Sequence, residues 1–412
     1  MKTLRQRALD FRESGRFADA AMVWRSLLRD QPDDWRTALE LKSDLASDFH
    51  YSESDPLFRR AARALPDREW LAHYADLTTF YTVDLPFLEA RAKAMLTKRP
   101  TDPDVRIMLG NVLLQQRRWA AAERHFAAMP ETPDIAMKQA LAGLYRRLSS
   151  APRPDTVAEA IPYEIAVLNL DSNVSRWRDI QRAFRRSQPP IFRISAVRGS
   201  LLPAAAAHLL AGDSGAMARG TLGCFLSHAA AWEAMLARGL PHCLVIEDDV
   251  VPQLPLPSTL DALCPPEGYD LCFVNDRMQP RWPVDRIAMS GGFTHVPLQE
   301  AFATFSPDDN APGADGYLVS AAGARKLLAW VKRDGFAYDV DWRLLAYGLT
   351  DAECAGQPRD SHAWRELDRL RHMVGAPDRL RTYVLHPALI RTVPISSDRE
   401  DENRKLESLG AG

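Results

Sequence analysis

Pro32, Pro66 and Pro100 stand 34 residues apart, and no other feature constrains the first third of this 412-residue chain so tightly. Other positions keep the register. Gly15-Arg16-Phe17-Ala18-Asp19-Ala20 returns as Arg117-Arg118-Trp119-Ala120-Ala121-Ala122 at an offset of 102, three periods on. Trp24 becomes Phe58 and then Phe126. Within one copy Ala20, Val23, Trp24, Leu27 and Leu28 fall on one helical stripe. Small alanines let helices approach, and each proline ends a helix, because its ring and missing N–H cannot continue one.

A bulky aromatic, a small alanine and a terminating proline at this period resemble tetratricopeptide repeats. The resemblance implies helix pairs that bury their stripes only by stacking on the next pair. The third copy is degenerate, with Val83 and Leu85 where Gly15 and Phe17 stood. The expectation is about four repeats over 1–134 and a closing helix to about 149. Such an all-α solenoid, assigned to 1–150, serves as a cap, as a dimerisation surface or as a groove for a protein or peptide acceptor.

The period then changes. Ser149-Ser150-Ala151-Pro152-Arg153-Pro154-Asp155 is a proline-rich connector. Beyond it Ile165-Ala166-Val167-Leu168-Asn169-Leu170 reads as a strand covered on both faces. An amphipathic helix is expected over 174–186, a strand over 191–197 and a helix over 223–238. Two further strands are expected at 243–246 and 270–275. Strands alternating with helices give an α/β domain over 160–412. Long proline-bearing stretches at 279–313 and 252–268 read as a lid over the site and a surface excursion.

The strongest chemical signal is Glu247-Asp248-Asp249, directly after the apolar run Cys243-Leu244-Val245-Ile246. In open α/β sheets ligands bind at the carboxyl ends of strands. Three adjacent carboxylates repel one another, and a hard divalent cation such as Mg²⁺ or Mn²⁺, shared with substrate phosphates, neutralises them. The same acids would also serve as a solvated, helix-capping turn, so the triplet alone leaves both readings open.

The surrounding blocks resemble family 25 glycosyltransferases, the group of bacterial lipopolysaccharide hexosyltransferases and procollagen galactosyltransferases. Leu168-Asn169-Leu170-Asp171 with Ser175-Arg176-Trp177, and Ala196-Val197-Arg198-Gly199, are similar to the first two blocks of that family. Gly223-Cys224-Phe225-Leu226-Ser227-His228 with Trp232 resembles the third, and Ile246-Glu247-Asp248-Asp249-Val250 the acidic motif. Gly316-Tyr317-Leu318-Val319-Ser320 with Gly323-Ala324-Arg325-Lys326-Leu327-Leu328 resembles the distal strand and helix.

The resemblance implies a GT-A-like nucleotide-sugar-binding domain, a UDP-sugar donor, Mn²⁺ or Mg²⁺ at the acids, and transfer of galactose or glucose with inversion. It implies donor contacts at Asn169, Leu170, Asp171, Arg176, Arg198, Ser227, His228, Glu247 and Asp248. Metal contacts fall to Asp249 and Asp248, and His386 is a third candidate. Asp341, then Asp315, are candidates for the base that takes the acceptor proton. Each has a plainer alternative: Arg176 on a charged helix face, Ser227 and His228 in the core, Asp341 and Asp315 as helix caps. Ser227 and His228 are no hydrolase pair, since neighbours on a helix point about 100° apart. Ser396-Ser397-Asp398 resembles the closing segment of the family.

Composition excludes other classes. Lys plus Arg is 52 and Asp plus Glu 54, a net charge of −2 that offers no field for nucleic acid. No run approaches the ~20 apolar residues of a membrane helix. Five scattered cysteines without a C-x-x-C pair, and an N-terminal stretch without an apolar core, are what a cytoplasmic protein with reduced thiols would show. The expectation is a hexosyltransferase acting on a glycan, protein or peptide hydroxyl. The alternative is a repeat scaffold whose transferase domain is degenerate and only binds.

Overall fold

The computed structural model describes residues 3–47, 85–150, 161–211, 219–258, 260–263, 265–304, 312–355, 362–371 and 379–393. The chain divides into two compact units, Met1–Arg118 and Trp119–Thr392. In the first, helices Leu4–Glu13, Phe17–Asp30 and Trp35–Ser47 follow one another through short turns. Ala8, Ala20, Ala21, Trp24, Leu41 and Leu45 form their core. Trp24 donates its indole N–H to the buried carboxylate of Asp44 at 2.6 Å. Helices Leu85–Lys98 and Pro103–Gln115 form a second pair, the latter capped by Asp102, whose side chain accepts from the amides of Asp104 and Val105. Pro32 and Pro100 lie between helices, while Pro66 and Phe58 fall outside the described residues. The unit is helical, and its tetratricopeptide character remains an inference from the sequence period.

Helices Trp119–Ala127 and Pro133–Ser150, assigned by sequence to the solenoid, belong to the second unit. Trp119 stacks on Tyr145 with ring centroids 4.4 Å apart. Tyr145 is buried, and its hydroxyl donates to the carbonyl of Ala388 at 2.8 Å. Arg147 donates to the carbonyl of Ser290 at 3.2 Å.

The rest of this unit is α/β. Its strands are β1 Glu164–Asn169, β2 Ile191–Ser195, β3 His242–Glu247, β4 Val250–Pro252, β5 Leu271–Phe273, β6 Thr294–Pro297, β7 Gly316–Ser320, β8 Thr382–His386 and β9 Ile390–Thr392. Seven make one mixed sheet in the order β2-β1-β3-β7-β5-β8-β6, and β4 pairs with β9. Helices flank it, an arrangement consistent with a GT-A-like domain.

Side chains alternate between two cores. Ala166, Leu168 and Val245 pack with Trp232 and Met235 of helix Arg219–Ala237 and Leu327 of helix Ala321–Asp334. Ile165, Val167, Leu244 and Ile246 pack with Ile180, Phe184, Leu256, Leu260 and Leu263. Coverage of both faces is why these strands read as unbroken apolar runs. Cys243 packs with Ala166, Leu168 and Val245 in the first of these cores, its thiol pushed up to about 12 by burial, so it is a structural thiol.

Two loop expectations are corrected. Residues 252–268 are no surface excursion, since Leu256, Leu260 and Leu263 are buried against the sheet. Residues 279–313 are no open lid over their described length. They contain helices Val284–Met289 and Leu298–Phe302, and β6, whose Val296 pairs with Val384 at the sheet edge. Among the described residues no helix is long and apolar enough to cross a membrane.

Candidate active site

Strand direction gathers the site. β1 and β3 run parallel, so Leu168 pairs with Glu247 and both strands end on one edge. β7 is antiparallel to β3 and starts there, with Gly316 opposite Ile246. β5 is antiparallel to β7 and ends there too. The ends of β1, β3 and β5 and the start of β7 therefore place Asn169, Glu247–Asp249, Asn275 and Asp315 along one rim.

Asp248 is held on both oxygens. Asn169 Nδ2 donates to one at 2.6 Å, and Arg176 donates to the other at 3.0 Å. Burial pushes this carboxyl up, and Arg176 and Asn169 pull it back. Arg193 donates to Asn169 Oδ1 at 2.7 Å, so the Asn169 amide can present only its N–H groups to Asp248. Asp171 accepts from Ser195 at 2.7 Å and pairs with Arg193 at 2.9 Å. The Leu170 carbonyl accepts the Asn173 N–H at 2.8 Å, turning the chain into helix Val174–Ala183 and bringing Arg176 back to the acids.

Asp249 differs. Its Oδ1 is buried without a hydrogen-bond partner among the described residues. Burial, then the charges of Glu247, Asp315 and Asp248, hold its carboxyl well above the ordinary range. Asp315 is 2 % exposed, and burial raises its carboxyl to about 6. Asn275 donates to Asp315 Oδ1 at 2.8 Å, and Thr392 donates to Oδ2. Arg277 approaches Asp315 Oδ1 at 3.9 Å and donates to the carbonyl of Pro312 at 2.9 Å. Burial opposes the Arg277 charge, but Asp341, Asp315, Glu247 and Asp249 outweigh it and hold the guanidinium above its usual range. Asp341 accepts the Ala314 N–H at 2.8 Å and fixes the approach to β7. Asp339, not Asp341, caps helix Val340–Gly348.

A half-buried carboxylate with one buried, orphaned oxygen and other carboxylates acting on it fits a divalent cation. All-oxygen donors suit Mg²⁺ or Mn²⁺. Asp249, on which the charges of Asp315 and Glu247 act, could hold one. Asp248 already accepts from Asn169 and Arg176.

Other expected residues take supporting places. Ser227 Oγ accepts the Val197 N–H at 2.8 Å and donates to the Gly223 carbonyl at 2.7 Å, pinning the loop after β2 to helix Arg219–Ala237. Contact is backbone to backbone there: a Cβ on Gly223 would meet Val197 O at 2.5 Å and Gly199 N at 2.7 Å. Arg198 is exposed and donates to Ser172 at 2.8 Å. His228 is fully buried, with Nδ1 2.9 Å from the Tyr317 hydroxyl and Nε2 3.5 Å from Glu247. His386 closes β8, the neighbour of β5 in the sheet. β8 is separated from β3 by β7 and β5. His386 Nδ1 bonds Gln279 at 2.9 Å, the ring lies 4.6 Å from that of Trp282, and burial, then Arg286, lower its pKa to about 4. Ser396-Ser397-Asp398 lies outside the described residues.

Sequence reasoning missed Asn275, Arg277 and Thr392. The first two carried a signal: Asn275-Asp276-Arg277 closes an apolar strand just as Glu247-Asp248-Asp249 does. Thr392 carried none, because β9 reaches Asp315 only through the fold.

Residues 163–342 match the family described as glycosyltransferase family 25 (LPS biosynthesis protein). Curated relatives include the inactive glycosyltransferase 25 family member 3 of Mus musculus, 34% identical over 118 residues. The probable inactive member 3 of Rattus norvegicus is 33% identical over 118 residues, and that of Bos taurus 33% over 117. Each match covers 27% of this chain and 18% of the relative.

Proposed function

We propose that this chain, whose residues 163–342 form a family 25 glycosyltransferase domain, moves a hexose from a UDP-sugar to an acceptor hydroxyl with inversion. Galactose or glucose is the favoured sugar. The observation that carries the reading is the buried, unpartnered Asp249 oxygen beside Asp315 and Glu247. Asp249 and Asp315 would hold Mn²⁺ or Mg²⁺. Bound there, such an ion supplies positive charge for a diphosphate leaving group.

The residues of the chain do the rest. Asn169, Arg176 and Asp248 form a polar floor, prearranged by Arg193, for the nucleoside. Arg277 places a second cation beside the acids, where phosphate charge grows as the sugar departs. The acceptor oxygen bonds to the anomeric carbon as the bond from that carbon to the phosphate oxygen breaks. The acceptor proton passes to a carboxylate, Asp341 in first place and, where it does not hold the ion, Asp315 in second. The helical unit is suited to holding a polypeptide or glycan acceptor, as stacked helix pairs commonly bind partners.

A second reading is supported by the relatives, which are named as inactive or probable inactive members: a domain that binds a nucleotide sugar without transferring it. A mass-spectrometric screen of UDP-hexoses with Mn²⁺ separates the two. Metal-dependent consumption of one donor, lost in Asp249→Asn, supports transfer. Metal-dependent binding with no donor consumed under any condition would support the binding domain instead.

A further inference from the structure

Trp232, Tyr317 and His228 form a hydrogen-bonded chain whose last ring nitrogen faces the acidic triplet, and all three are fully buried. The indole N–H of Trp232 donates to the Tyr317 oxygen at 2.8 Å. That oxygen lies 2.9 Å from His228 Nδ1. The far ring nitrogen, Nε2, has no hydrogen-bond partner among the described residues, and the Glu247 Oε1 that it faces lies 3.5 Å away, at ion-pair rather than hydrogen-bond reach.

The donors and acceptors fit in one way only. An indole N–H can only donate, so the Tyr317 oxygen accepts there. The single hydroxyl proton of Tyr317 then needs a buried acceptor, and His228 Nδ1 is the one beside it. The opposite tautomer would make Tyr317 accept twice and strand its own proton in the core, the costlier arrangement. His228 therefore carries its proton on Nε2, facing Glu247.

We propose that Trp232, Tyr317 and His228 are a positioning relay that fixes the Nε2–H tautomer of His228, and that this N–H holds Glu247 in the orientation that meets the sugar donor. The proposal rests on the transferase reading above. It also decides a competing use of the same atoms. Cys224, His228 and Glu247 offer a sulfur, a nitrogen and an oxygen within 4.8 Å of one another, a set that zinc favours. A proton on Nε2 occupies the lone pair that zinc would need, so the relay and a zinc site here exclude each other.

Nitrogen NMR of the full chain, labelled at histidine, reads the tautomer directly. The wild type is expected to show Nε2–H at His228, and Tyr317→Phe a mixture of tautomers. In donor kinetics His228→Leu and Tyr317→Phe are expected to raise donor KM about tenfold with acceptor KM unchanged. His228→Gln, whose terminal amide N–H replaces the imidazole one, is expected to stay within about threefold of wild type. Tyr317→Phe carries the kinetic test should His228→Leu fail to fold.

An Nδ1–H signature in the wild type overturns the proposal, as does movement of the His228 resonances on adding Zn²⁺. So does an unchanged donor KM in both disrupted variants. If the chain consumes no donor, Mn²⁺-dependent UDP affinity takes the place of KM. The transferase reading then falls, while the tautomer and the affinities still decide the relay.

Discussion

Asp315→Asn is expected to stabilise the metal-free protein while abolishing its activity. The substitution keeps an acceptor for the Asn275 amide and leaves an N–H to give to Thr392, so it removes the charge and little else. Burial raises this carboxyl from 3.8 to about 6. A raised acid favours folding only while protonated: its contribution is complete below the unfolded value and is lost as pH rises through the folded one. Above pH 6 the wild type therefore carries a buried charge at a cost of roughly two pKa units, about 3 kcal/mol. The variant escapes that cost. The same two values leave a difference of only about 1 kcal/mol at pH 4.5.

Urea unfolding in the presence of a chelator measures it. With a slope of about 3 kcal/mol per molar, the midpoint of the variant should lie about 1 M higher at pH 7. The gap should shrink by about two thirds at pH 4.5. Adding Mn²⁺ should close or reverse it, because only the wild type gains from binding the ion. A variant no more stable at pH 7, or a gap that does not shrink in acid, would refute the reasoning.

Three further substitutions probe the supports of the site. Gly223→Ala forces a methyl against the backbone of Val197 and Gly199, and should cost about 1–3 kcal/mol in thermal unfolding and weaken UDP binding. Arg176→Ala leaves the Asp248 carboxyl buried without its cation; calorimetry should show UDP affinity reduced about tenfold or more. Tyr145→Phe strands the carbonyl of Ala388 and should cost about 1 kcal/mol by urea unfolding, with donor KM nearly unchanged.

Much of the α/β unit was legible because covered strands announce themselves. Ile165–Leu168 and Cys243–Ile246 are apolar at every position, and only a strand packed on both faces demands that. The acids following the second run marked the rim, and the blocks around them marked the donor side. Pairing was not legible. β7 enters between β3 and β5 and runs antiparallel to both, which no local pattern of Gly316–Ser320 encodes. That insertion sets Asp315 beside Asp249 and lets Asn275 and Arg277 reach it. The place of His386 was hidden for the same reason, since its strand order was invisible. Residues 279–313 read as a lid because their prolines and glycines outweighed the short β6 pattern, whose partner β8 lies far along the chain. The boundary near 150 followed the proline-rich connector, whereas Tyr145 and Arg147 tie the preceding helix to the sheet domain through single polar contacts that leave no periodic trace.

The central claim is that Asp249 and its neighbours grip a divalent cation that in turn grips a nucleoside diphosphate. Calorimetric titration of the full chain with UDP, with and without Mn²⁺, tests it most directly. The account predicts binding that requires Mn²⁺ and vanishes in Asp249→Asn. UDP affinity indifferent to the metal, or retained in that variant, would contradict it.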